Sequence, residues 1–122
     1  MTNIPSDEDF ARAKHLMAAE SRNLDRVEKN ALTQFSAVCS LHNFYILPQR
    51  DVDFRVYVFF KKDEDIETCR ARGIDREIIE FVYKELEHAG RGKRGEITVA
   101  FEFDSDENVT AKFEGDYFLR LR

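Results

Sequence analysis

Three histidines, His15, His42 and His88, and two thiols, Cys39 and Cys69, are the side chains that titrate nearest neutrality. Cys39 and His42 lie three residues apart, which on a helix puts them on one face and allows a Cys–His dyad or half a metal site. The sequence assigns no third group to them. The ordinary alternative is a core thiol beside a histidine at a helix end. His88, near another expected helix end, complements the helix dipole when protonated. Neither HExxH nor CxxC occurs, so no metal site and no other cofactor is expected. Two reduced, mostly buried thiols are expected, and a Cys39–Cys69 disulfide is disfavoured.

Gly90, Gly92 and Gly95 formally satisfy GxGxxG. A dinucleotide fingerprint opens a helix after a strand, whereas this run follows a helix and leads into a strand. A Walker loop needs Ser or Thr after its lysine, and Lys93 is followed by Arg94. What remains is a basic loop in which Arg91, Lys93 and Arg94 are candidates for an anion or RNA contact. Asp104, Asp106 and Asn108 resemble the opening of a calcium loop. However, Val109 stands where the glycine is needed and Gly115 where the closing glutamate is needed. Helix capping is the better use of these residues. Glu102, Asp104, Asp106, Glu107, Glu114 and Asp116 still form a dense carboxylate set. Paired carboxylates in a cleft perform acid–base chemistry. On an open face they attract a cationic partner.

The elements that must position these groups follow from periodicity. Ser6 to Asp9 has the residue types of a helix start. Apolar residues then recur at Phe10, Ala13, Met17, Leu24, Val27, Ala31, Phe35 and Val38, with helical spacing apart from one gap. The pattern predicts one long helix from Asp7 to His42, or two helices broken near Ser21. Its first half is only weakly apolar and needs something else to lie on. Asn43 to Leu47 reads as a short strand or a helix tail closed by Pro48. Asp53 to Lys61 is the clearest strand. Phe54, Val56, Val58 and Phe60 occupy one face, and Tyr57 and Phe59 the other. Apolar groups on both faces imply a central strand, or one whose second face is covered by a helix or partner. Lys62 to Arg72 reads as a short helix. A stronger one runs from Asp75 to Ala89, with Ile78, Ile79, Val82, Tyr83 and Leu86 as its buried stripe. Ile97 to Phe103 alternates as a half-buried strand. Asp104 to Phe113 is a short capped turn or helix broken by Gly115, and Tyr117 to Arg122 alternates as a last strand. The expected architecture is α+β: one domain over residues 1–122. Three or four mainly antiparallel strands would carry a long N-terminal helix and a second major helix.

Composition narrows the function classes. The chain has 122 residues, with 19 basic against 24 acidic and 43% hydrophobic, enough apolar material for one core. The start MTNIPSDEDF lacks a basic n-region and an apolar h-region, and no apolar run reaches about 18 residues. A cytoplasmic chain without a membrane span is therefore expected. From Gly95 to Arg122 there are three basic and seven acidic residues, so this segment carries −4 of the net −5. That balance disfavours sequence-independent nucleic-acid binding. The leading expectation is a non-enzymatic protein-binding module whose C-terminal acids meet a basic protein. An inhibitor or immunity-type protein for a nuclease toxin would have such a charge distribution. The alternatives are a small enzyme or ligand-binding protein with a pocket between helices and sheet, and an RNA-contacting regulator acting through the basic loop. A homo-oligomer stays open. A terminal strand is held by pairing, so a chain truncated after Asp116 is expected to melt well below the full chain. Equal melting temperatures would show that the last six residues contribute nothing to the fold.

Overall fold

The computed structural model describes residues 23–50 and 52–121. Residues 23–35 form α1, which turns Leu24, Val27, Ala31 and Phe35 inward on a spacing of three and four. The stretch read as the start of a long helix, Asp7 to Ser21, lies outside the described residues. At its other end the helix stops earlier than His42. Val38 and Cys39 N–H both donate to the Phe35 carbonyl, at 3.1 and 2.9 Å, and the chain reverses into a strand.

That strand, β1 (Leu41–Arg50), is longer than the apolar run suggests and passes through Pro48. Proline is tolerated because β1 is an edge strand, and the pairing is irregular between Pro48 and Arg50. β2 (Asp53–Phe60) is central. It pairs antiparallel with β1 and parallel with β3 (Thr98–Ser105). The mainly antiparallel sheet of three or four strands is thus corrected to a mixed sheet of three, among the described residues. The cause is the connection. Between β2 and β3 the chain makes a crossover through α2 (Asp63–Ala71) and α3 (Ile74–His88), and such a crossover returns a strand parallel to the first.

α3 begins one residue before Asp75, at Ile74. Gly73 caps it in the left-handed region at φ 73°, and Asp75 Oδ1 accepts from the Arg76 N–H instead of capping. Its buried residues are Ile74, Ile78, Val82 and Leu86, while Ile79 and Tyr83 are only half-buried. α1 and α3 cover one face of the sheet, packing on Phe44, Ile46, Phe54, Val56, Val58 and Phe60.

The second face is covered by α4 (Asp106–Phe113) and α5 (Tyr117–Arg120), so the last expected strand is a short helix. Asp116 decides this. Its Oδ1 accepts from the Phe118 and Leu119 N–H groups at 2.9 and 3.2 Å, an N-cap that starts a helical turn. Tyr117 and Leu121, four apart, then face the sheet with Val109 and Phe113, against Tyr57 and Phe59. Leu119, expected beside them, is 42% exposed. Among the described residues no helix is long and apolar enough to cross a membrane.

The outer edge of β1 is partly closed by α1. Glu28 Oε2 accepts from the Ile46 N–H at 3.2 Å, which occupies an edge donor that could otherwise template another strand. Burial pushes the Glu28 carboxyl up from 4.5 to about 7, opposed by that hydrogen bond and helped by Asp25. A carboxyl raised on folding makes the native state hold a proton that the unfolded chain releases. Its contribution is complete below 4.5 and is lost as pH rises through about 7. Melting temperature should fall across that window in the wild type, and less in Glu28→Gln, which keeps the acceptor without the charge. Parallel melting-temperature profiles for the two proteins would rule this coupling out.

Candidate functional site

The six C-terminal carboxylates are placed by β3, α4 and α5, and most are engaged within the molecule. Glu102 and Asp104 project from β3 toward α5. Arg120 donates from Nη2 to Glu102 Oε1 and from Nε to Asp104 Oδ2, both at 2.6 Å. Asp104 is buried, and it also accepts from Asn108 Nδ2 at 2.9 Å and from the Ser105 N–H at 2.8 Å. The Arg120 guanidinium lies over Tyr57, Phe59 and Phe113 at 5.5, 5.8 and 5.9 Å from the ring centroids. Burial opposes its charge, but the bonds to Asp104 and Glu102 outweigh that and hold its pKa above the usual arginine range.

Asp106 accepts from the Tyr117 hydroxyl at 2.5 Å and lies 3.4 Å from His42 Nε2. Burial, then this bond, push the Tyr117 phenol up, with Asn43 opposing. Asp116 is occupied as the α5 cap. Glu107 and Glu114 are exposed, and Glu114 closes α4 in the left-handed region at φ 55°. The cluster is therefore mainly a set of caps and clamps that fasten α4 and α5 to the sheet. Ser105 belongs to it. Its Oγ accepts from the Asn108 N–H at 3.0 Å and donates to Asp63 Oδ1, tying α4 to α2.

The Cys39–His42 pairing on a helix face is corrected, because the helix that would align them ends at residue 35. Cys39 sits in the following turn with its Sγ donating to the Phe35 carbonyl at 3.3 Å, while His42 is on β1 beside Asp106. Both cysteines are free, and burial pushes both thiols up, Cys69 to about 11, which suppresses thiolate chemistry near neutrality. Among the described residues no cluster of three His, Cys, Asp or Glu side chains is arranged to hold a metal ion.

The basic loop does not gather with the other cations. Arg91 stacks over Phe54 at 5.1 Å, at the start of β2. Arg94 lies over Tyr83 at 4.5 Å and donates to both Glu80 carboxylate oxygens at 2.6 Å. Lys93 is exposed, with its backbone N–H held by Glu96 Oε1 at 2.9 Å. Lys61 and Lys62 stand past the opposite end of β2, and Arg120 lies against the other face of the sheet.

A sizeable cavity lies elsewhere, in a feature that sequence periodicity does not reveal. It is an open groove of about 840 Å³ along α3, walled on its other side by the last turn of α1 and the turn that follows. Phe35, Val38, Phe81 and Tyr83 give it an apolar lining, with Phe35 and Phe81 edge to face at 5.3 Å. Val38 is 41% exposed there. Three cations, Arg76, Lys84 and Arg94, and three acids, Glu77, Glu80 and Glu87, are interspersed along it. The groove touches neither cysteine, none of the histidines in the described residues, and none of the six C-terminal acids. Its signal in the sequence was Phe81, an aromatic one position off the α3 stripe.

Removing Arg120 leaves Asp104 buried without its counter-charge. Arg120→Met should destabilise the fold by about 3 kcal/mol, the usual cost of breaking a buried pair. Adding Asp104→Asn should restore a large part of it, which a double-mutant cycle in urea measures. Strict additivity would mean that the pair does not hold α5. No family model, curated protein or solved structure matches this chain.

Proposed function

We propose that this domain is a protein-binding module without chemistry of its own, and that its docking site is the groove along α3. The supporting observation is the groove itself: it is open and mainly apolar, and among the described residues it is lined by no thiol or imidazole. Catalysis needs a nucleophile or a tuned acid–base pair in a cleft. A docking site needs exposed apolar surface with a charged rim.

The shape argues for one kind of occupant. From Arg76 to Glu87 the α3 wall is about 16 Å long, or about three helical turns. A rim carrying both signs suits an amphipathic helix that carries both signs, with anchors at i, i+3 or i+4, and i+7. An immunity-type contact with a basic toxin draws instead on free carboxylates. Of the six acids, Arg120 engages Glu102 and Asp104, Tyr117 engages Asp106, and Asp116 caps a helix. Glu107 and Glu114 are left to face such a partner.

Selection of helical peptides of about 14 residues on the purified protein tests the reading. Peptides with the helical apolar spacing should be enriched. Val38→Glu should weaken them about tenfold or more by placing a charge in the apolar floor. Glu107→Lys with Glu114→Lys should leave them unchanged. If binding survives Val38→Glu but fails on reversal of those two acids, the groove is not the docking site and the acidic face is.

A further inference from the structure

The two edges of the sheet differ in how they are protected. On β1, Pro48 offers no donor and Glu28 occupies the Ile46 N–H, so that edge is guarded. β3 carries no such guard. It holds neither proline nor a basic residue, and it pairs with β2 in unbroken register from Thr98 to Ser105. In that parallel register Phe54 stands opposite Val99, so Thr98 and Ala100 bond to β2 and the Val99 N–H and C=O point away. The Thr98 N–H accordingly donates toward the β2 side, to the Val52 carbonyl at 2.8 Å. The same alternation puts the backbone groups of Val99, Phe101 and Phe103 on the outer edge, where among the described residues they have no hydrogen-bond partner. Phe101 and Phe103 are only half-buried, beside Tyr83 and Phe60 at 6.2 and 6.3 Å. The strand's two acids, Glu102 and Asp104, are each bonded to Arg120 at 2.6 Å, which removes the charge that would repel a neighbouring strand.

We infer that this edge is an interface between two copies of the chain, with β3 pairing antiparallel to β3 of the second copy about a two-fold axis at Phe101. The two three-stranded sheets then join into one. The strand is complementary to itself in this register. A two-fold axis makes the self-pairing antiparallel, and outward-pointing residues must face one another across it. Centred on Phe101, the pairing sets Val99 opposite Phe103 of the partner subunit and Phe101 opposite Phe101 of the partner subunit, so every outward N–H and C=O gains a partner. The side chains of these residues share one face, and they meet across the junction as aromatic with aromatic and aromatic with β-branched pairs. On the other face Ala100 lies opposite Glu102 of the partner subunit. An axis centred on Glu102 would instead oppose two carboxylates. A second copy also fits this edge better than a loose peptide does. β3 is already ordered, so pairing costs it little chain entropy, while a loose peptide loses that entropy on binding. Among the described residues no member of β3 lines the groove, so the two surfaces are separate.

Sedimentation equilibrium of the full chain should show a species of twice the chain mass as concentration rises. Ala100 is exposed and stands beside Arg55 of β2, so the folded chain accommodates Ala100→Glu. In the dimer the new carboxylate faces Glu102 of the partner subunit, and the symmetry repeats that contact. Ala100→Glu should therefore weaken the dimer about fivefold or more. Val99→Pro removes an outward donor and no bond to β2, and should weaken it about tenfold or more. Melting temperatures at a dilution where the wild type is monomeric check that both variants fold. A second measurement needs no variant. In the isotopically labelled wild type, the Phe101 amide should exchange with solvent at least about tenfold more slowly in concentrated than in dilute solution, and the Phe44 amide on β1 should not change. A chain that stays monomeric into the millimolar range, or a Phe101 amide indifferent to concentration, overturns the inference. So does a dimer that survives Ala100→Glu and Val99→Pro but is lost in Val38→Glu, which puts the contact at the groove.

Discussion

A strand that is apolar on both faces must be covered twice, and in this molecule that strand is β2. Phe54, Val56, Val58 and Phe60 point one way, Tyr57 and Phe59 the other, and none is more than 3% exposed. The first face receives α1 and α3 through two long apolar stripes, which is ordinary amphipathic packing. The second receives two short helices with few apolar residues of their own. Val109, Phe113, Tyr117 and Leu121 meet Tyr57 and Phe59, but α5 is only four residues long. A helix that short does not hold itself. Asp116 starts it, and Arg120 ties its end to Asp104 and Glu102 on β3. The guanidinium also covers the rings of Tyr57 and Phe59, so one side chain supplies both the charge clamp and part of the apolar lid.

This arrangement changes the meaning of the acidic C-terminal segment. The seven carboxylates between Gly95 and Arg122 suggest a surface waiting for cations. Several serve the fold instead: Asp104 and Glu102 hold α5, Asp106 holds Tyr117, and Asp116 caps a helix. Charge density in a sequence reports a need for counter-charge. The counter-charge here is Arg120, 16 and 18 residues downstream of the two acids it meets. No helical or strand period links residues so far apart, so the pairing was not legible before the fold was known.

The same distinction runs through the secondary structure. β2, α3, β3 and α4 were legible because each has a single strong period or a clear cap. Tyr117 to Arg122 alternates as a strand does, yet Tyr117 and Leu121 also satisfy a period of four. Six residues cannot separate the two patterns, and the Asp116 cap separates them. The stripe through Phe35 and Val38 continued the helix on paper, while the chain turns after residue 35 and leaves Val38 facing out. The parallel pairing of β2 and β3 depends on where two helices carry the chain, which local patterning does not encode. The groove was hidden for a related reason: its apolar lining joins Phe35 and Val38 to Phe81 and Tyr83 across 43 or more positions, counting from Val38 to Phe81.

The groove is also surplus to the needs of the sheet. Strands lie about 4.8 Å apart, so three of them present a face about 10 Å from first to last backbone. Two helices, each about 10 Å in diameter, already span that width. The core stripes of α1 and α3 do the covering: Leu24, Val27, Ala31 and Phe35 on one, Ile74, Ile78, Val82 and Leu86 on the other. Val38 and the outer side of Phe81 cover nothing in the sheet. Apolar surface kept in water destabilises nothing locally, but it contributes no stability either until something is laid over it. A valine and an aromatic that line an open groove edged with both charges are therefore not required by the sheet.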